Sequence, residues 1–205
     1  MTQFYNHQAY IDLNDTQKEA VKNLDGPLLV LSGAGTGKTR VLTARLANLL
    51  YSNKTKPWNI LAVTFTNKAA KEMRTRLESL IGPSANSVWL GTFHSIAARI
   101  LRENAEIVGL NSNYTIITPD DQIRLLKQIM IDQDIDIKKF TPKVMSNLIS
   151  SWKDKGFKPD DIHQSDNDFF ANGKAINIYK TYQSRLVTLN SADFGDLLLY
   201  NLTLF

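Results

Sequence analysis

Three successive strand–loop–helix patterns organise the first half of the chain. The first apolar run covers residues 28–31, where four aliphatic side chains in succession are typical of a strand buried on both faces. The second run begins at Ile60 and the third at Ser87. After each run and a short loop, apolar residues recur three and four positions apart, which indicates a helix, and the third of these helices is expected to reach Val108. The pattern predicts an α/β fold with a parallel sheet flanked by helices and right-handed crossovers.

Beyond about residue 110 the apolar spacing is helical. Thr118 and Thr141 each precede a proline, which is the pattern of a capping hydroxyl followed by proline at the first helical position. We therefore expect three parts. The first α/β domain covers residues 1–109, an inserted all-helical subdomain covers 110–190, and a helix over 191–205 returns to the first domain.

The N-terminal residues give one clear element. Residues 1–12 have no periodic pattern, and we expect them to form a loose lead-in. Asn14, followed three positions later by Gln17, then predicts a capping box at the start of a short helix.

A glycine-rich loop joins the first apolar run to its helix. Its glycines allow the backbone to turn its amides toward an anion, and the following helix directs its N-terminus to the same point. Lys38 is expected to contact the outer phosphates of a nucleotide and the Thr39 hydroxyl to ligate Mg²⁺, which makes these two the catalytic candidates. The nucleotide-binding residues of this loop are expected to be Ser32, Gly33, Ala34, Gly35, Thr36, Gly37, Lys38 and Thr39. Ser32 stands where the general pattern has glycine, but its small side chain still allows the loop to close.

A nucleotide hydrolase also needs an acidic strand end, usually Asp-Glu, to hold Mg²⁺ and orient the attacking water. No Asp-Glu dipeptide occurs in the 205 residues. Residues 114–121 come nearest, but Pro119 separates the apolar residues from the acids, and Thr118 with Asp121 makes a good helix cap. We therefore expect the triphosphate site to be half complete in this chain.

Composition excludes several classes of protein. No apolar run is long enough to span a membrane, and the N-terminus lacks a signal-peptide pattern, so a cytoplasmic protein without a membrane partner is expected. The absence of cysteine excludes disulfides and thiolate metal sites. His7, His94 and His163 are too scattered for a metal-ligand pattern. The net charge of +4 gives a weak preference for polyanionic partners.

Several motifs, in order and spacing, resemble those of the superfamily 1 DNA helicases of the UvrD/PcrA/Rep group. They are Leu13-Asn14-x-x-Gln17, residues 32–40, residues 62–70, and Gly91-Thr92-Phe93-His94-Ser95. The segment 193–198 is similar to the motif that precedes the Asp-Glu strand in that family. The resemblance implies the front part of such a helicase: most of a first RecA-like P-loop domain with its helical insertion. The Asp-Glu motif, the second RecA-like domain and the arginine finger are expected to be absent from these residues.

The resemblance also implies ligands and roles. ATP and Mg²⁺ are the implied cofactors, and single-stranded DNA and its junctions with duplex are the implied partners. Gln17 is assigned to the adenine edge and Arg40 to the nucleotide. From the residues alone, Gln17 also suits a helix cap, which can coexist with the first role, and Arg40 suits a solvated helix position. The loops after the second and third apolar runs are assigned to DNA, with rings that stack on bases and polar groups that bind phosphates. Their residues are Thr64, Phe65, Thr66, Asn67, Thr92, Phe93 and His94.

Alternatives remain for these residues. Without the resemblance, each of the two phenylalanine rings is equally a cap on the core at a strand end, and His94 is a helix-capping residue or a general base. The basic residues after Phe65 suit either a solvated helix face or DNA steering. They are Lys68, Lys71, Arg74 and Arg76. The resemblance also implies that three lysines of the insertion lie near duplex phosphates, and these are Lys153, Lys155 and Lys158.

The sequence thus predicts the N-terminal ATP-binding part of an ATP-dependent 3′–5′ DNA helicase, with DNA repair as one candidate pathway. These 205 residues alone are expected to bind nucleotide weakly and to show no appreciable hydrolysis. One alternative is a non-catalytic nucleic-acid-binding or regulatory fragment. Another is a small-molecule kinase with the same loop, which would bind no single-stranded DNA.

Overall fold

The computed structural model describes residues 4–33, 35–162 and 170–205. The chain divides into two compact units, Met1–Ile96 and Ala97–Phe205. The first unit contains α1 (Gln8–Ile11), α2 (Asp15–Lys22), α3 (Lys38–Tyr51), β1 (Leu61–Thr64), α4 (Asn67–Ile81), β2 (Trp89–Thr92) and the start of α5 (Phe93–Glu103). The second contains the end of α5, then β3 (Thr115–Ile116), α6 (Pro119–Asp132), α7 (Pro142–Asp154), α8 (Ala175–Thr188), β4 (Ser191–Ala192) and α9 (Phe194–Leu204). Short 3-10 helices lie at Phe4–Asn6, Pro57–Asn59, Gly82–Ser87, Ala105–Val108, Pro159–Asp161 and Ala171–Gly173.

The two strands of the first unit pair in parallel, as the sequence pattern predicts. Their register runs from Leu61 opposite Trp89 to Thr64 opposite Thr92. The helix between them, α4, buries Met73, Leu77 and Leu80, and the left-handed Gly82 (φ 66°) ends it. Mixed α/β structure with parallel strands is therefore confirmed, whereas the RecA-like P-loop domain and its helical insertion remain predictions.

The strand predicted over residues 28–31 was wrong. The structure assigns these residues to no strand, and Leu29 and Leu31 are 80% and 84% exposed. A strand buried on both faces needs a neighbour that supplies backbone hydrogen bonds and helices that cover it. Among the described residues of this unit, only β1 and β2 pair with each other, so the apolar run has no neighbouring strand.

The N-terminal residues are also more ordered than expected. They form the 3-10 helix Phe4–Asn6 and α1, and Phe4 and Tyr10 are buried in the core of the first unit. The Phe4 ring stacks on Tyr51 of α3 with 5.6 Å between centroids. This segment is held in place by aromatic contacts with residues far away in the sequence. Such contacts leave no periodic pattern in the sequence of the segment itself.

Helix starts follow the sequence closely. Capping boxes form between Asn14 and Gln17 and between Thr118 and Asp121, and Thr141 caps α7, as predicted. The helix expected to reach Val108 instead ends at Glu103. Asn104 (φ −133°) leaves the helical region, and the chain continues as a 3-10 turn.

The second unit has two apolar clusters. The larger lies among α6, α7 and α8, where the Trp152 ring stacks on Tyr179 with 5.6 Å between centroids. The smaller joins the end of α5 to α9. The parallel pair β3–β4 places Thr115 opposite Ser191, so the two ends of the helical segment lie side by side. The predicted limits of the insertion, 110 and 190, remain predictions.

Candidate nucleotide and nucleic-acid site

The glycine loop adopts a conformation that only glycine tolerates well. Gly35 (φ 76°) and Gly37 (φ 88°) both lie in the left-handed region. Gly37 is the N-cap of α3 and has no side chain that could accept a hydrogen bond, so the first backbone N–H groups of that helix donate to no capping side chain. A helix start of this kind favours an anion through its amides and its dipole.

Side chains of the loop brace its backbone. The Lys38 ammonium donates to the carbonyls of Ser32 (2.9 Å) and Gly33 (2.6 Å), and the Thr36 hydroxyl donates to the Gly33 carbonyl (2.8 Å). Thr39 lies next to Lys38 in the first turn of α3. The candidate phosphate ligand and the candidate metal ligand therefore start the same helix.

Helix α2 brings Gln17 to this loop. Its Oε1 accepts from the Asn14 amide (3.1 Å) and its Nε2 donates to the Thr36 carbonyl (3.0 Å). The capping role and a position beside the loop therefore occur together. A Cβ at Gly37 would lie 3.3 Å from Gln17 Nε2, so glycine at this position also allows the close approach.

Arg40 has an acidic partner that sequence reasoning missed. Its guanidinium lies 3.1 Å from the Asp12 carboxylate, and both side chains are partly exposed. Asp12 is the C-cap of α1. Because that helix was not predicted, no pattern in the sequence pointed to the pair.

A pocket of about 150 Å³ lies between α2 and the loop. It is smaller than the roughly 300–1,000 Å³ of pockets that enclose a whole ligand, so it suits a phosphate or a ring more than an entire nucleotide. Its lining adds residues that the motif did not include, namely Asn14, Thr16, Ala20, Val30, Leu31 and Val41. Thr16 and Ala20 are four residues apart and so lie on the same face of α2. That spacing was the signal in the sequence that could have predicted the side of the pocket formed by α2.

The donors present fit a nucleotide triphosphate with a hard divalent cation. Two left-handed glycines, a helix N-terminus without a side-chain cap and the Lys38 ammonium are groups that bind phosphate oxygens. The Thr39 hydroxyl is an oxygen ligand of the kind that Mg²⁺ accepts. The loop residue Ala34 lies outside the described residues, as does His163.

Phe65 and Phe93 lie together at the carboxyl ends of the paired strands. The parallel register places Thr64 opposite Thr92, so the residues that follow them emerge side by side. The two ring centroids are 5.6 Å apart at 50°. Phe65 is 92% exposed and Phe93 is 45% exposed. Phe65 is therefore not a cap on the core, and the two rings form a solvent-accessible aromatic surface.

The polar residues of these loops start two helices. The Thr66 hydroxyl caps α4 by accepting from the Ala69 amide (3.2 Å), and the Thr92 hydroxyl accepts from the Ser95 amide (3.2 Å) at the start of α5. Asn67 and His94 follow in the first turns of α4 and α5. Ser95 completes the second cap, since its hydroxyl accepts from the Thr92 amide (2.8 Å). Both helix N-termini therefore lie beside the aromatic surface.

The basic residues of α4 differ in their surroundings. Arg74 donates to the Leu90 carbonyl (2.7 Å) and braces the helix against β2, while Arg76 pairs with Glu72 on the same helix. Lys68 and Lys71 are exposed. Of the basic residues of α4, Lys68 and Lys71 therefore remain candidates for electrostatic attraction of a nucleic acid.

The expectation that Lys153 contacts duplex phosphates was wrong. Its side chain is 1% exposed and its ammonium lies 2.7 Å from both Asp193 and Asp196. The lysine sits inside the second unit because two buried carboxylates of α9 and its N-cap require a cation. Lys155 and Lys158 are exposed, and their role remains a prediction.

These features define a mixed α/β protein with a glycine-rich loop at a helix N-terminus and an exposed aromatic pair at a strand edge. The family description "UvrD/REP helicase N-terminal domain" matches residues 13–205. The chain belongs to this helicase family, and the resemblance found in its motifs is confirmed. Among the described residues, every helix is too short or too polar to cross a bilayer.

Curated relatives agree with the family. A protein named probable DNA helicase II homolog from Rickettsia felis is 51% identical over 203 residues, covering 98% of this chain and 31% of the relative. The ATP-dependent DNA helicase PcrA of Bacillus subtilis is 42% identical over 202 residues, covering 98% of this chain and 27% of the relative. The chain thus spans about a third or less of the length of the relatives it matches.

Proposed function

We propose that this chain is the nucleotide-binding front part of an ATP-dependent helicase that moves 3′ to 5′ on single-stranded DNA. The observation that carries the proposal is the braced glycine loop at the start of α3, in a chain of the UvrD/REP family. Lys38 and the loop amides hold the phosphates, and Thr39 ligates Mg²⁺, which neutralises phosphate oxygens when bound. Cytoplasmic location and a role in DNA repair belong to the same proposal.

The aromatic surface is the proposed contact for single-stranded DNA. Phe65 and Phe93 stack on bases, and the starts of α4 and α5 meet the phosphates. Base stacking contributes about 1–3 kcal/mol per base, which is more than a diffuse charge of +4 supplies at one point. At a junction of single-stranded and duplex DNA, these contacts would hold the single strand while the whole protein opens the duplex.

Nucleotide binding by the full chain tests the first part. We expect Lys38→Ala to weaken Mg²⁺–ATP binding about tenfold to a hundredfold, since it removes charge-assisted hydrogen bonds worth about 1.5–3 kcal/mol. Lys127→Ala, at an exposed position of α6, is the matched control. Equal affinities of the wild type and Lys38→Ala would contradict the proposal.

We propose that the 205 residues alone bind ATP without appreciable hydrolysis, because they contain no Asp-Glu dipeptide. DNA-stimulated ATP turnover by this chain, lost in Lys38→Ala, would contradict that. For the full-length protein, unwinding of a duplex with a 3′ tail but not of one with a 5′ tail tests the direction.

The exposed pair Phe65 and Phe93 also suits a second candidate, a non-catalytic nucleic-acid-binding or regulatory protein. The two candidates are separated by ATP turnover of the full-length protein with single-stranded DNA. Turnover supports the helicase, and DNA binding without turnover supports the second candidate.

A further inference from the structure

Gln17 makes a contact that neither a helix cap nor base recognition requires. Its Nε2 donates to the carbonyl of Thr36, 19 residues further along the chain and inside the glycine loop. Of the Gln17 side chain, the cap of α2 uses only the oxygen, while the Gln17 backbone N–H donates to Asn14. The contact with the loop is therefore separate from the capping box.

The bond restricts one peptide plane of the loop. The Thr36–Gly37 peptide is trans, and in a trans peptide the carbonyl and the following N–H point in opposite directions. Since the Thr36 carbonyl points at Gln17, the Gly37 N–H points away from α2. Because residue 37 is glycine, little steric resistance opposes rotation of this peptide plane. A hydrogen bond from outside the loop therefore contributes most to fixing the orientation of the plane.

The amide of Gln17 is itself held in place. Its oxygen is bound to the Asn14 amide and its nitrogen to the loop, which fixes which end of the amide faces Thr36. One N–H and one lone pair remain for a ligand. Contact with a base and contact with the loop can therefore occur together.

We infer that Gln17 is a positioning residue for phosphate binding. It orients the Thr36–Gly37 peptide so that the Gly37 N–H faces the bound phosphate. This inference rests on the proposed function, because it assumes that the loop binds phosphate. It makes a distinct claim, namely that Gln17 affects ligands that have no base.

The test compares Mg²⁺–ATP with inorganic tripolyphosphate as probes of the full chain. Gln17→Met is nearly isosteric and uncharged, and it removes the bond to Thr36. We expect it to weaken tripolyphosphate binding about threefold to tenfold, as one lost hydrogen bond would. Asn14→Ala is the matched control, because it removes the side-chain cap of α2 and leaves the bonds of Gln17 to backbone groups intact. It should change tripolyphosphate affinity less than about twofold.

Two results would overturn the inference. One is a loss of ATP affinity in Gln17→Met with tripolyphosphate affinity unchanged, which would mean that Gln17 reads only the base. The other is an equal loss in Asn14→Ala, which would assign the effect to the helix cap. A different result would contradict the proposed function instead. In that case, Lys38→Ala would bind Mg²⁺–ATP and tripolyphosphate as tightly as the wild type does.

Hydrogen exchange of the free chain gives a readout that needs no ligand. If Gln17 holds the loop, the peptide covering residues 33–39 exchanges about threefold to tenfold faster in Gln17→Met. Unchanged exchange there would overturn the inference. Should Gln17→Met fail to fold, Gln17→Glu keeps an acceptor for the Asn14 amide but loses the donor to Thr36. Its loop exchange is judged in the same way.

Discussion

Lys153 is a cation in the interior of the second unit, and its partners explain why it stays there. Burial alone raises the pKa of Asp193, but the Lys153 ammonium and several hydrogen bonds outweigh that effect and hold it below its ordinary value. Burial raises the pKa of Asp196, against the attraction of Lys153. Burial and Asp193 raise the pKa of Tyr182, so its hydroxyl stays protonated and donates to Asp193 (2.8 Å).

Removal of this cation should be costly. Lys153→Met leaves two buried carboxylates without their counter-ion, and we expect it to lower the free energy of unfolding by about 3–5 kcal/mol. Urea titration followed by circular dichroism measures the change. Lys155→Met is the matched control at an exposed position and should change stability by less than about 0.5 kcal/mol. A loss of less than about 1 kcal/mol in Lys153→Met would contradict the buried ion pairs.

Gly195 accounts for part of this geometry. A Cβ at this position would lie 2.8 Å from Lys153 Cδ and 3.1 Å from Lys153 Cβ. Glycine at this position therefore lets the lysine stem pass against the first turn of α9. The carboxylates that meet Lys153 come from Asp193 and Asp196 instead.

Among the helices, α6 has a start whose stability depends on pH. Hydrogen bonds from the Thr118 hydroxyl and amide to Asp121 hold the pKa of that carboxyl below its ordinary value. A lowered folded-state pKa contributes stability above the ordinary pKa that is lost as pH falls through the folded value. Asp121→Asn should therefore be less stable than the wild type at neutral pH, and the difference should shrink below about pH 4.

Thermal melts of the two proteins across a pH series check this. Thr118→Ala, which removes the cap itself, should cost about 0.5–2 kcal/mol at neutral pH. A difference between wild type and Asp121→Asn that grows on acidification would show that the cap has the opposite pH dependence.

Residues 28–31 illustrate an apolar segment that does not contribute to the core described here. We expect the double change Leu29→Ser and Leu31→Ser to alter the free energy of unfolding of this chain by less than about 1 kcal/mol. A leucine in a buried strand would instead cost about 2–5 kcal/mol, as Leu77→Ala in α4 should, since Leu77 is fully buried. Chemical denaturation measures both. A large loss in the serine variant would mean that the run is buried.

For the whole molecule, the salt dependence of DNA binding separates charge from stacking. Affinity for single strands falls with salt in proportion to the phosphates neutralised, with a slope of about −0.7 for each. The double change Lys68→Ala and Lys71→Ala should make this slope shallower by about 1.4. Phe65→Ala should lower affinity by about 1–3 kcal/mol and leave the slope unchanged.

Fluorescence anisotropy with an oligothymidine over a salt series is the measurement. Trp58→Ala is the control for loss of an exposed ring, since Trp58 is 61% exposed and precedes the amino end of β1. An unchanged slope in the lysine variant would assign those lysines to a solvated helix face. No single-strand binding by the wild type would favour the kinase alternative.

Local patterns predicted much of the fold and part of the site. Capping boxes and proline positions located the starts of α2, α6 and α7, because those bonds join residues three apart in sequence. The glycine spacing located the loop for the same reason. The ion pair between Arg40 and Asp12 was not predictable, because it joins two helices and the spacing of apolar residues does not indicate that these helices meet.

By itself, the sequence determined the starts of α2, α6 and α7, the parallel strand pair, the glycine loop and the family, because each leaves a pattern in the order of neighbouring residues. Only the tertiary structure decided which apolar and charged residues are buried. It left residues 28–31 exposed, placed Lys153 in the interior, and brought Phe65 beside Phe93 and Gln17 beside Thr36. The physical reason is that burial and long-range hydrogen bonds depend on which partner is present in space, and a residue type states only what partner it could accept.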